Sequence, residues 1–392
     1  TVGVEGAPVV RLLQSLFEDA VQVGASDVHI EPQEGFLQIR VRVDGVLQTQ
    51  TQADKRIGGA LAQRLKLMAG LDISEKRLPQ DGRFSVRLKD NTIDVRLSTL
   101  PTTYGESAVM RLLNQGAGMR RLDTIGMPAD MLKRFRDVLS RSSGMVLVTG
   151  PTGSGKTTTL YAALAEINAA ELKVITVEDP VEYRLPAITQ VQVNDKIELT
   201  FSRVLRACLR QDPDVILVGE MRDAETAEIG LRAAITGHLV LSTLHANDAV
   251  STIVRLINMG IPGYLIGAAL TLVIAQRLAR RICSSCKQPL EGNHEAILLH
   301  LGFSEEMAKA AKPYHGAGCE KCNHTGYKGR QGIYEVLRIN EAMRTAIISE
   351  DRRSLRKIAE EDGFRSMQQI GREMVMQGIL TIEEYQSNLV FN

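Results

Sequence analysis

A glycine-rich segment at residues 150–157 constrains the fold of this chain more than any other feature. It matches GxxxxGK[ST], follows an apolar strand predicted at residues 145–149 and precedes a helical stretch from residue 156 to about residue 170. Its backbone N–H groups can curl around phosphates, and Lys156 can reach the β/γ oxygens. The alternative, a simple glycine-rich turn, is disfavoured by the flanking strand and helix. The residues predicted to contact ATP are Gly150, Pro151, Thr152, Gly153, Ser154, Gly155, Lys156, Thr157 and Thr158, with Thr157 as a Mg²⁺ ligand.

Glu220, Glu178 and His245 each follow a short apolar segment that predicts a strand. Ligands of parallel sheets collect at the carboxyl ends of the strands, so these side chains are candidates for a shared site. Glu220 is predicted to hold Mg²⁺ through water and to act as base toward the attacking water. Glu178 and Asp179 are predicted to lie beside the phosphate loop if their strand neighbours residues 145–149, and His245 is predicted to sense the γ-phosphate. A structural role at a strand end is the alternative for each.

The hydrophobic pattern changes along the chain in a way that predicts several domains. Strict alternation over residues 37–43, followed by Asp44-Gly45, predicts a hairpin in an α+β module. Farther on, short apolar strands alternate with helices, which indicates an α/β fold with a mostly parallel sheet. The predicted segments are an α+β domain at 1–115, a glycine-rich hinge linker at 116–126, an α/β domain at 127–282, a cysteine module at 283–331 and a helical C-terminal subdomain at 332–392.

The apolar segments and the cysteine content indicate where the protein is located and whether it crosses a membrane. The most apolar run, residues 261–275, is shorter than the roughly 20 residues that a membrane-spanning helix needs, so a buried helix is predicted there. The chain begins at Thr1 without a Met, a basic segment or an apolar segment, so we expect no signal peptide and an additional module upstream. Five cysteines are too few for a disulfide framework, which favours a cytosolic protein.

Four of the cysteines form two CxxC pairs with 32 residues between the pairs, from 287 to 318. Four thiolates make a closed, structural Zn²⁺ site. His315 or His324 could replace one thiolate, but four cysteines suffice. A redox CxxC is disfavoured because there are two pairs and neither is predicted to follow a strand. The fifth cysteine, Cys208, is predicted to be a core residue. The predicted zinc ligands are Cys283, Cys286, Cys319 and Cys322.

Arginines supply the remaining candidates for the site. Arg203, Arg206 and Arg210 have a spacing that places them on one helix face, and Arg222 follows the strand that leads to Glu220. Two more, Arg96 and Arg111, lie on or after strands of the first module. A solvated surface is the alternative for all of them. ATP hydrolysis, however, develops negative charge that is often stabilised by an arginine finger, and fingers from the first module or from a neighbouring subunit would make activity depend on assembly.

Together these motifs resemble the type II secretion and type IV pilus assembly ATPases, the PilB/GspE family of secretion superfamily ATPases. The resemblance covers nearly the whole chain. It rests on the phosphate loop, the cysteine pairs and these segments: Arg-Val-Asp-Gly-Val at 42–46, Leu-Pro-Gln-Asp-Gly-Arg at 78–83, Val-Glu-Asp-Pro-Val-Glu-Tyr at 177–183, Leu-Arg-Gln-Asp-Pro-Asp at 209–214, Gly-Glu-Met-Arg-Asp at 219–223, Thr-Gly-His at 236–238 and Ser-Thr-Leu-His at 242–245.

The resemblance implies a homo-hexameric ring of subunits, each with a PAS-like domain hinged to a RecA-like ATPase domain. It implies that Glu220 is the Walker B glutamate and that Glu178 assists water activation. It also implies that five arginines approach the nucleotide: Arg96, Arg111, Arg206, Arg210 and Arg222.

The implied partners are the inner-membrane platform and recruiting proteins of a secretion or pilus machine, with the motor cytoplasmic and peripheral at the inner membrane. Because retraction ATPases generally lack the cysteine module, the resemblance favours the extension or secretion branch, and a mannose-sensitive haemagglutinin (MSHA)-type pilus motor is one candidate.

Two other function classes remain as alternatives. A RecA-like nucleic-acid translocase is disfavoured by a net charge of +1, from 47 basic and 46 acidic residues, and by the absence of Trp. We therefore expect no nucleic-acid partner. A nucleotide-gated adaptor that binds ATP without hydrolysing it is disfavoured by the presence of both Glu178 and Glu220.

Overall fold

The computed structural model describes residues 6–114, 120–167 and 169–391, except for the side chains of residues 6, 7 and 114. The chain forms two compact units, which meet in the sequence between residues 118 and 119. The glycines of the expected hinge, at 116–118, lie outside the described residues.

The first unit is an α+β unit whose antiparallel sheet has two helices packed against it. The elements are α1 (Gly6–Gln22), β1 (Asp27–Pro32), β2 (Leu37–Val43), β3 (Val46–Ala53), α2 (Gly58–Met68), β4 (Gln80–Arg87), β5 (Thr92–Thr102) and β6 (Gly105–Asn114). The sheet order is β3-β2-β1-β6-β5-β4. Phe17 of α1 and Leu61 of α2 are buried with Ile39 and Val95 in the core of this unit.

The hairpin predicted at Asp44-Gly45 forms as expected. Both residues have positive φ angles, 50° and 83°, which a two-residue turn of type I′ requires. This turn sets the register in which Val43 pairs with Val46. Leu37, Ile39 and Val41 then face the core, as the alternation predicts.

The second unit is an α/β unit. Its strands are β7 (Gly144–Thr149), β8 (Val174–Glu178), β9 (Thr189–Gln192), β10 (Val215–Val218), β11 (Leu239–Leu244), β12 (Leu270–Ile282), β13 (Lys287–Pro289), β14 (Tyr314–Gly316) and β15 (Tyr327–Arg338). Its helices are α3 (Ala129–Leu139), α4 (Lys156–Glu166), α5 (Phe201–Cys208), α6 (Ala224–Ile235), α7 (Ala249–Asn258), α8 (Gly263–Ala269), α9 (Glu295–His300), α10 (Glu305–Ala310), α11 (Glu341–Ile348), α12 (Leu355–Glu361), α13 (Met367–Met376) and α14 (Ile382–Leu389).

The central sheet of the second unit has the order β15-β12-β7-β11-β10-β8-β9. All neighbouring pairs are parallel except β12 with β15, so the sheet is mostly parallel, as predicted. Strands β7, β8, β10 and β11 are buried along their whole length, because helices cover both faces of the sheet. The carboxyl ends of these strands therefore meet at one edge, where residues after each strand can share a site.

The prediction of a single buried helix at residues 261–275 is wrong in its second half. Helix α8 ends at Ala269, and β12 begins at the next residue. A strand that is buried on both faces has a continuous apolar sequence, which periodicity alone cannot distinguish from a buried helix. The chain also becomes helical later than predicted, after Arg338 rather than after Tyr334, because β15 continues to that residue. Within the described parts of the chain, no helix is long and apolar enough to cross a membrane.

Candidate active site

The phosphate loop lies between β7 and α4, as its motif predicts. Gly153 and Gly155 have positive φ angles of 80° and 86°. At Gly150 a Cβ atom would lie 2.6 Å from the Gln276 carbonyl oxygen, so only glycine fits against β12 there. Thr157 is exposed in the first turn of α4. The other predicted contacts lie along the loop: Pro151 and Thr152 are exposed, Ser154 is buried and Thr158 is half-buried.

Three of the predicted site residues form one hydrogen-bonded chain. Lys156 Nζ lies 2.9 Å from the Gly150 carbonyl oxygen and 3.1 Å from His245 Nδ1. His245 Nε2 in turn lies 2.7 Å from Glu220 Oε1. Since the Lys156 ammonium can only donate, Nδ1 accepts and Nε2–H donates to the carboxylate. His245 therefore links the phosphate-loop lysine to the predicted base.

The strand order explains this arrangement. Strand β11 lies between β7 and β10, so about 10 Å separates the strand leading to Lys156 from the strand leading to Glu220. His245 follows the intervening strand and spans that gap. The strand ends are also bonded to each other: Thr149 Oγ1 donates to the Leu244 carbonyl at 2.7 Å, and Thr243 Oγ1 donates to the Gly219 carbonyl at 2.6 Å.

Arg222 holds Glu220 from its other side. Its Nε lies 2.8 Å from Glu220 Oε2, and its second amino group lies 3.0 Å from Asp179 Oδ2. Burial works to raise the pKa of Glu220, but the bond and charge of Arg222, together with His245, outweigh it and hold that pKa below its usual value. Burial lowers the pKa of Lys156 against the attraction of Glu220. The site therefore has an ionised carboxylate whose basicity is suppressed by its arginine partner.

The expectation that Glu178 lies beside the phosphate loop is wrong. Strand β8 is separated from β7 by both β11 and β10, so its end is about 14 Å away across the sheet. Glu178 is buried and accepts hydrogen bonds from Tyr161, Thr176 and Gln190. These donors hold the carboxylate inside the unit. Asp179 is the residue of this strand end that reaches the Glu220–Arg222 pair.

The expectation that Arg203, Arg206 and Arg210 lie on one helix face is wrong for Arg210. Helix α5 ends at Cys208, so Arg210 lies beyond it and bonds the Arg206 carbonyl at 3.4 Å. Arg206 forms an exposed ion pair with Glu225 at 2.6 Å. Of the predicted arginines in this unit, only Arg222 contacts the chain of residues around Glu220.

In the first unit, the two predicted arginines are cross-strand partners. Arg96 of β5 pairs with Arg111 of β6, and Arg83 of β4 pairs with Arg96 on its other side. Arg111 lies 3.4 Å from Asp27 and remains mostly exposed. The strand register therefore brings three arginines side by side across β4, β5 and β6.

Two residues of this region were missed by sequence reasoning. Gln276 and Arg277 are consecutive, buried residues of β12. Gln276 bonds the phosphate loop, and Arg277 donates to the Asn247 carbonyl, two residues after His245, at 2.7 Å. The available signal was a polar Gln-Arg pair inside an otherwise apolar segment, because polar side chains are buried only where they have partners.

The four predicted zinc ligands form a compact cluster with all ligand atoms within 4.8 Å of one another. The Sγ atoms of Cys283 and Cys319, and those of Cys286 and Cys322, are 3.8 Å apart, too far for disulfides. Neither His315 nor His324 belongs to this cluster in the described part of the chain. One argument against a redox pair was wrong, since Cys283 directly follows β12.

The cysteine cluster fits a tetrahedral metal. A tetrahedron with Zn–S bonds of about 2.3 Å has S···S edges of about 3.8 Å, close to the separations here. Backbone N–H groups donate to sulfur at Cys286, from Gly318 at 3.3 Å, and at Cys322, from Gly326 at 3.3 Å. Such donors stabilise thiolates, the form that binds metal. The 32-residue interval forms α9 and α10, whose Leu298 is buried in the core of the unit.

The phosphate loop likewise fits its ligand. Lys156 bonds a carbonyl and a ring nitrogen rather than a carboxylate, so its charge is available to a phosphate. The Ser154 hydroxyl is buried without a hydrogen-bond partner in the described structure. Thr157 and Glu220 supply the oxygen ligands that Mg²⁺ prefers. Fold and site together define a P-loop ATPase with a RecA-like core.

Comparisons with known proteins identify the family. The model of the type II/IV secretion system protein family matches residues 3–387, and the chain belongs to that family. It is 47% identical to the type II secretion system protein HxcR of Pseudomonas aeruginosa, over 97% of this chain and 77% of that protein. It is 46% identical to the type II secretion system ATPase E of Vibrio cholerae, over 97% of this chain and 75% of that protein. It is 45% identical to the type IV pilus assembly ATPase PilB of Myxococcus xanthus, over 98% of this chain and 68% of that protein.

A solved structure agrees with this assignment. The crystal structure of the pilus retraction motor PilT with bound ADP superposes with a TM-score of 0.64 at 27% identity, covering 95% of this chain and 96% of that one. The Legionella pneumophila ATPase DotB gives a TM-score of 0.70 at 21% identity, covering 96% and 94%, which is evidence for the fold alone. The chain is therefore an ATPase of the secretion and pilus assembly class.

Proposed function

We propose that this ATPase is a homo-hexameric motor that drives assembly of a pilus or pseudopilus through an inner-membrane platform protein. The Lys156–His245–Glu220 chain across the ends of neighbouring strands is the observation that carries the catalytic part. The names of the relatives, secretion ATPases and pilus assembly ATPases, support the mechanical part. The proposal includes a motor that is cytoplasmic and peripheral to the inner membrane, where it meets its platform partner.

The contacts of Lys156 and Glu220 suggest how nucleotide binding changes the site. Lys156 exchanges the Gly150 carbonyl and His245 Nδ1 for phosphate oxygens when ATP enters. Thr157 would hold Mg²⁺ directly and Glu220 would hold it through water, and the ion would neutralise charge on the β- and γ-phosphates. Glu220 becomes a better base once Arg222 turns from its carboxylate toward the nucleotide, because that bond suppresses its pKa. In this proposal Arg222 lowers the pKa of Glu220 before ATP binds and acts as an arginine finger on the nucleotide afterwards.

The remaining predicted residues take supporting roles in this proposal. Glu178 keeps the end of β8, and with it Asp179, in place through its buried hydrogen bonds, and so assists water activation indirectly. Arg96 and Arg111 act on the nucleotide of the same or a neighbouring subunit as arginine fingers, and their cross-strand pairing keeps the two side chains close together. Arg206 and Arg210 serve at subunit contacts, where Arg206 exchanges its exposed partner Glu225 for the nucleotide.

The branch of the family is proposed from sequence identity and from the cysteine cluster, since the family resemblance associates that module with extension or secretion motors rather than retraction motors. Secretion and pilus assembly relatives are 45–47% identical to the chain, whereas the retraction motor is 27% identical. This difference supports assembly rather than retraction. The two assembly machines are represented at almost equal identity, so the proposal covers both, with an MSHA-type pilus as a specific candidate.

The test is ATP turnover per subunit over a wide range of protein concentration, with particle mass measured in parallel. We expect turnover to rise steeply where the hexamer forms, and to rise further with the cytoplasmic domain of the cognate platform protein. Glu220→Gln is the control for contaminating ATPase. Constant turnover with a monomeric mass would contradict the ring. Stimulation by single-stranded DNA that is lost at high salt would favour the translocase instead.

A further inference from the structure

The phosphate loop is bonded to a residue that lies far from it in the sequence. Gln276 lies on β12, where the preceding residue, Ala275, pairs with Thr149 at the end of β7. This register places Gln276 level with the first residue of the loop, Gly150. Gln276 is 1% exposed.

Both ends of the Gln276 amide are engaged. Its Nε2 donates to the Ser154 carbonyl oxygen at 2.6 Å, and its Oε1 accepts from Thr159 Oγ1 at 2.6 Å. Because a carbonyl can only accept, the nitrogen must face Ser154, which fixes the orientation of the amide. The side chain therefore connects the phosphate loop to the first turns of α4.

The bond to Ser154 controls a group that phosphates use. In a trans peptide the N–H points opposite to the C=O, so holding the Ser154 carbonyl toward Gln276 directs the Gly155 N–H away from it. Loops of the GxxxxGK[ST] type bind phosphate through such N–H groups. A Cβ at Gly155 would approach Gln276 Nε2 to 3.1 Å, so the glycine also keeps this amide close to the loop.

We propose that Gln276 is a positioning residue for ATP, whose side-chain amide sets the conformation of the phosphate loop by bridging the Ser154 carbonyl and the Thr159 hydroxyl. Gln276 acts through the loop and does not touch the nucleotide. This inference rests on the phosphate loop as the nucleotide site, but it is independent of the ring and of the platform protein.

The test compares Gln276→Met, which keeps the length of the side chain and removes its polar atoms, with Gln331→Met. Gln331 is a buried glutamine of β15 that donates to the Gly332 carbonyl at 2.9 Å, so it controls for losing a buried amide from this pair of strands. The readouts are the Kd of a fluorescent ADP, the KM and kcat for ATP, and the Tm.

We expect Gln276→Met to raise the Kd and KM about tenfold, the effect of leaving one buried polar group unpaired. We expect kcat to fall less than threefold, since Glu220 and His245 follow other strands. Gln331→Met should lower the Tm comparably and leave Kd and KM within twofold of wild type. Equal effects of the two variants on Kd and KM, or a Kd within twofold of wild type for Gln276→Met, would overturn the proposal.

A second variant keeps the test decisive if Gln276→Met does not fold. Thr159→Val removes the hydroxyl that bonds Gln276 Oε1 at 2.6 Å, together with its longer contact to the Gly155 carbonyl at 3.2 Å, and should raise the Kd about threefold with little change in volume. In the double variant the two effects should not add, because both remove the same bridge. A Thr159→Val protein with wild-type Kd would overturn the proposal. Nucleotide binding by wild type without any hexamer would contradict the proposed motor but leave this inference intact.

Discussion

The cysteine cluster gives a prediction whose magnitude follows from its geometry. S···S contacts of 3.7 Å and 3.8 Å, taken as edges of a tetrahedron, place a central ion roughly 2.3 Å from each sulfur, the Zn–S bond length. The purified protein should therefore contain one zinc per chain, and X-ray absorption should show four sulfur neighbours at that distance. Cys322→Ser should lose the metal.

The cost of losing the metal can be estimated from the loop that it closes. Closing a loop of 32 residues, 287–318, costs about 3 kcal/mol of chain entropy, which the metal no longer offsets in Cys322→Ser. For the second unit, residues 119–392, that corresponds to a fall in Tm of roughly 5 °C. Buried apolar residues of the loop, such as Leu298 and Phe303, keep it attached to the core, so we expect local rather than global unfolding.

Metal analysis and thermal denaturation together test this reasoning. Cys208→Ala is the matched control, because Cys208 is buried on α5 outside the cluster and its loss should leave the zinc content unchanged. A wild-type protein that is fully folded without metal, with a Tm unchanged by chelators, would refute the site. A shell of three sulfurs and one nitrogen would instead implicate His315 or His324.

Three further predictions concern charged groups of the second unit. Lys156→Ala should weaken ADP binding by about 2 kcal/mol, roughly thirtyfold, measured by fluorescence titration; unchanged affinity would contradict its role. Arg222→Gln should move the acidic limb of the pH–kcat profile to higher pH, because burial raises the pKa of Glu220 and the variant removes the main group that opposes this effect. An acidic limb at the wild-type position would show that Arg222 does not lower the pKa of Glu220. Burial raises the pKa of Glu335 to about 7, well above its unfolded value, so its contribution to stability is full at low pH and is lost as the pH rises toward 8. The unfolding free energy of wild type relative to Glu335→Gln, measured by chemical denaturation, should therefore fall from pH 5 to pH 8 by at most about 1.4 kcal/mol per pH unit. A difference that stays constant with pH would contradict the raised pKa of Glu335.

Local features of the fold could be predicted from the sequence because their causes are local. The hairpin at Asp44-Gly45 needs two residues that tolerate positive φ, and the sequence supplies them side by side. The phosphate loop is likewise contained in eight consecutive residues between a strand and a helix. The cysteine pairs could be predicted because metal ligation requires a fixed chemistry at short spacing.

The errors arose where the answer depends on which strands are neighbours. Glu178 and Glu220 both lie at the carboxyl end of an apolar strand, and only the order of the sheet shows that the strand of Glu178 lies farther from β7. The bond from Gln276 to Ser154 joins residues 122 positions apart, and no local pattern specifies such a contact. Residues 261–275 were assigned to one helix because burial on both faces of β12 removes the alternation that marks a strand.

The central claim is that ATP hydrolysis depends on the carboxylate at the end of β10, which His245 links to the phosphate-loop lysine. Nucleotide binding and steady-state turnover of Glu220→Gln, measured on the same preparation, test it most directly. The amide keeps the size of the side chain and removes the base, so we predict an ADP affinity within about threefold of wild type and turnover lower by about a hundredfold or more. Turnover equal to that of wild type, with nucleotide bound normally, would contradict the account.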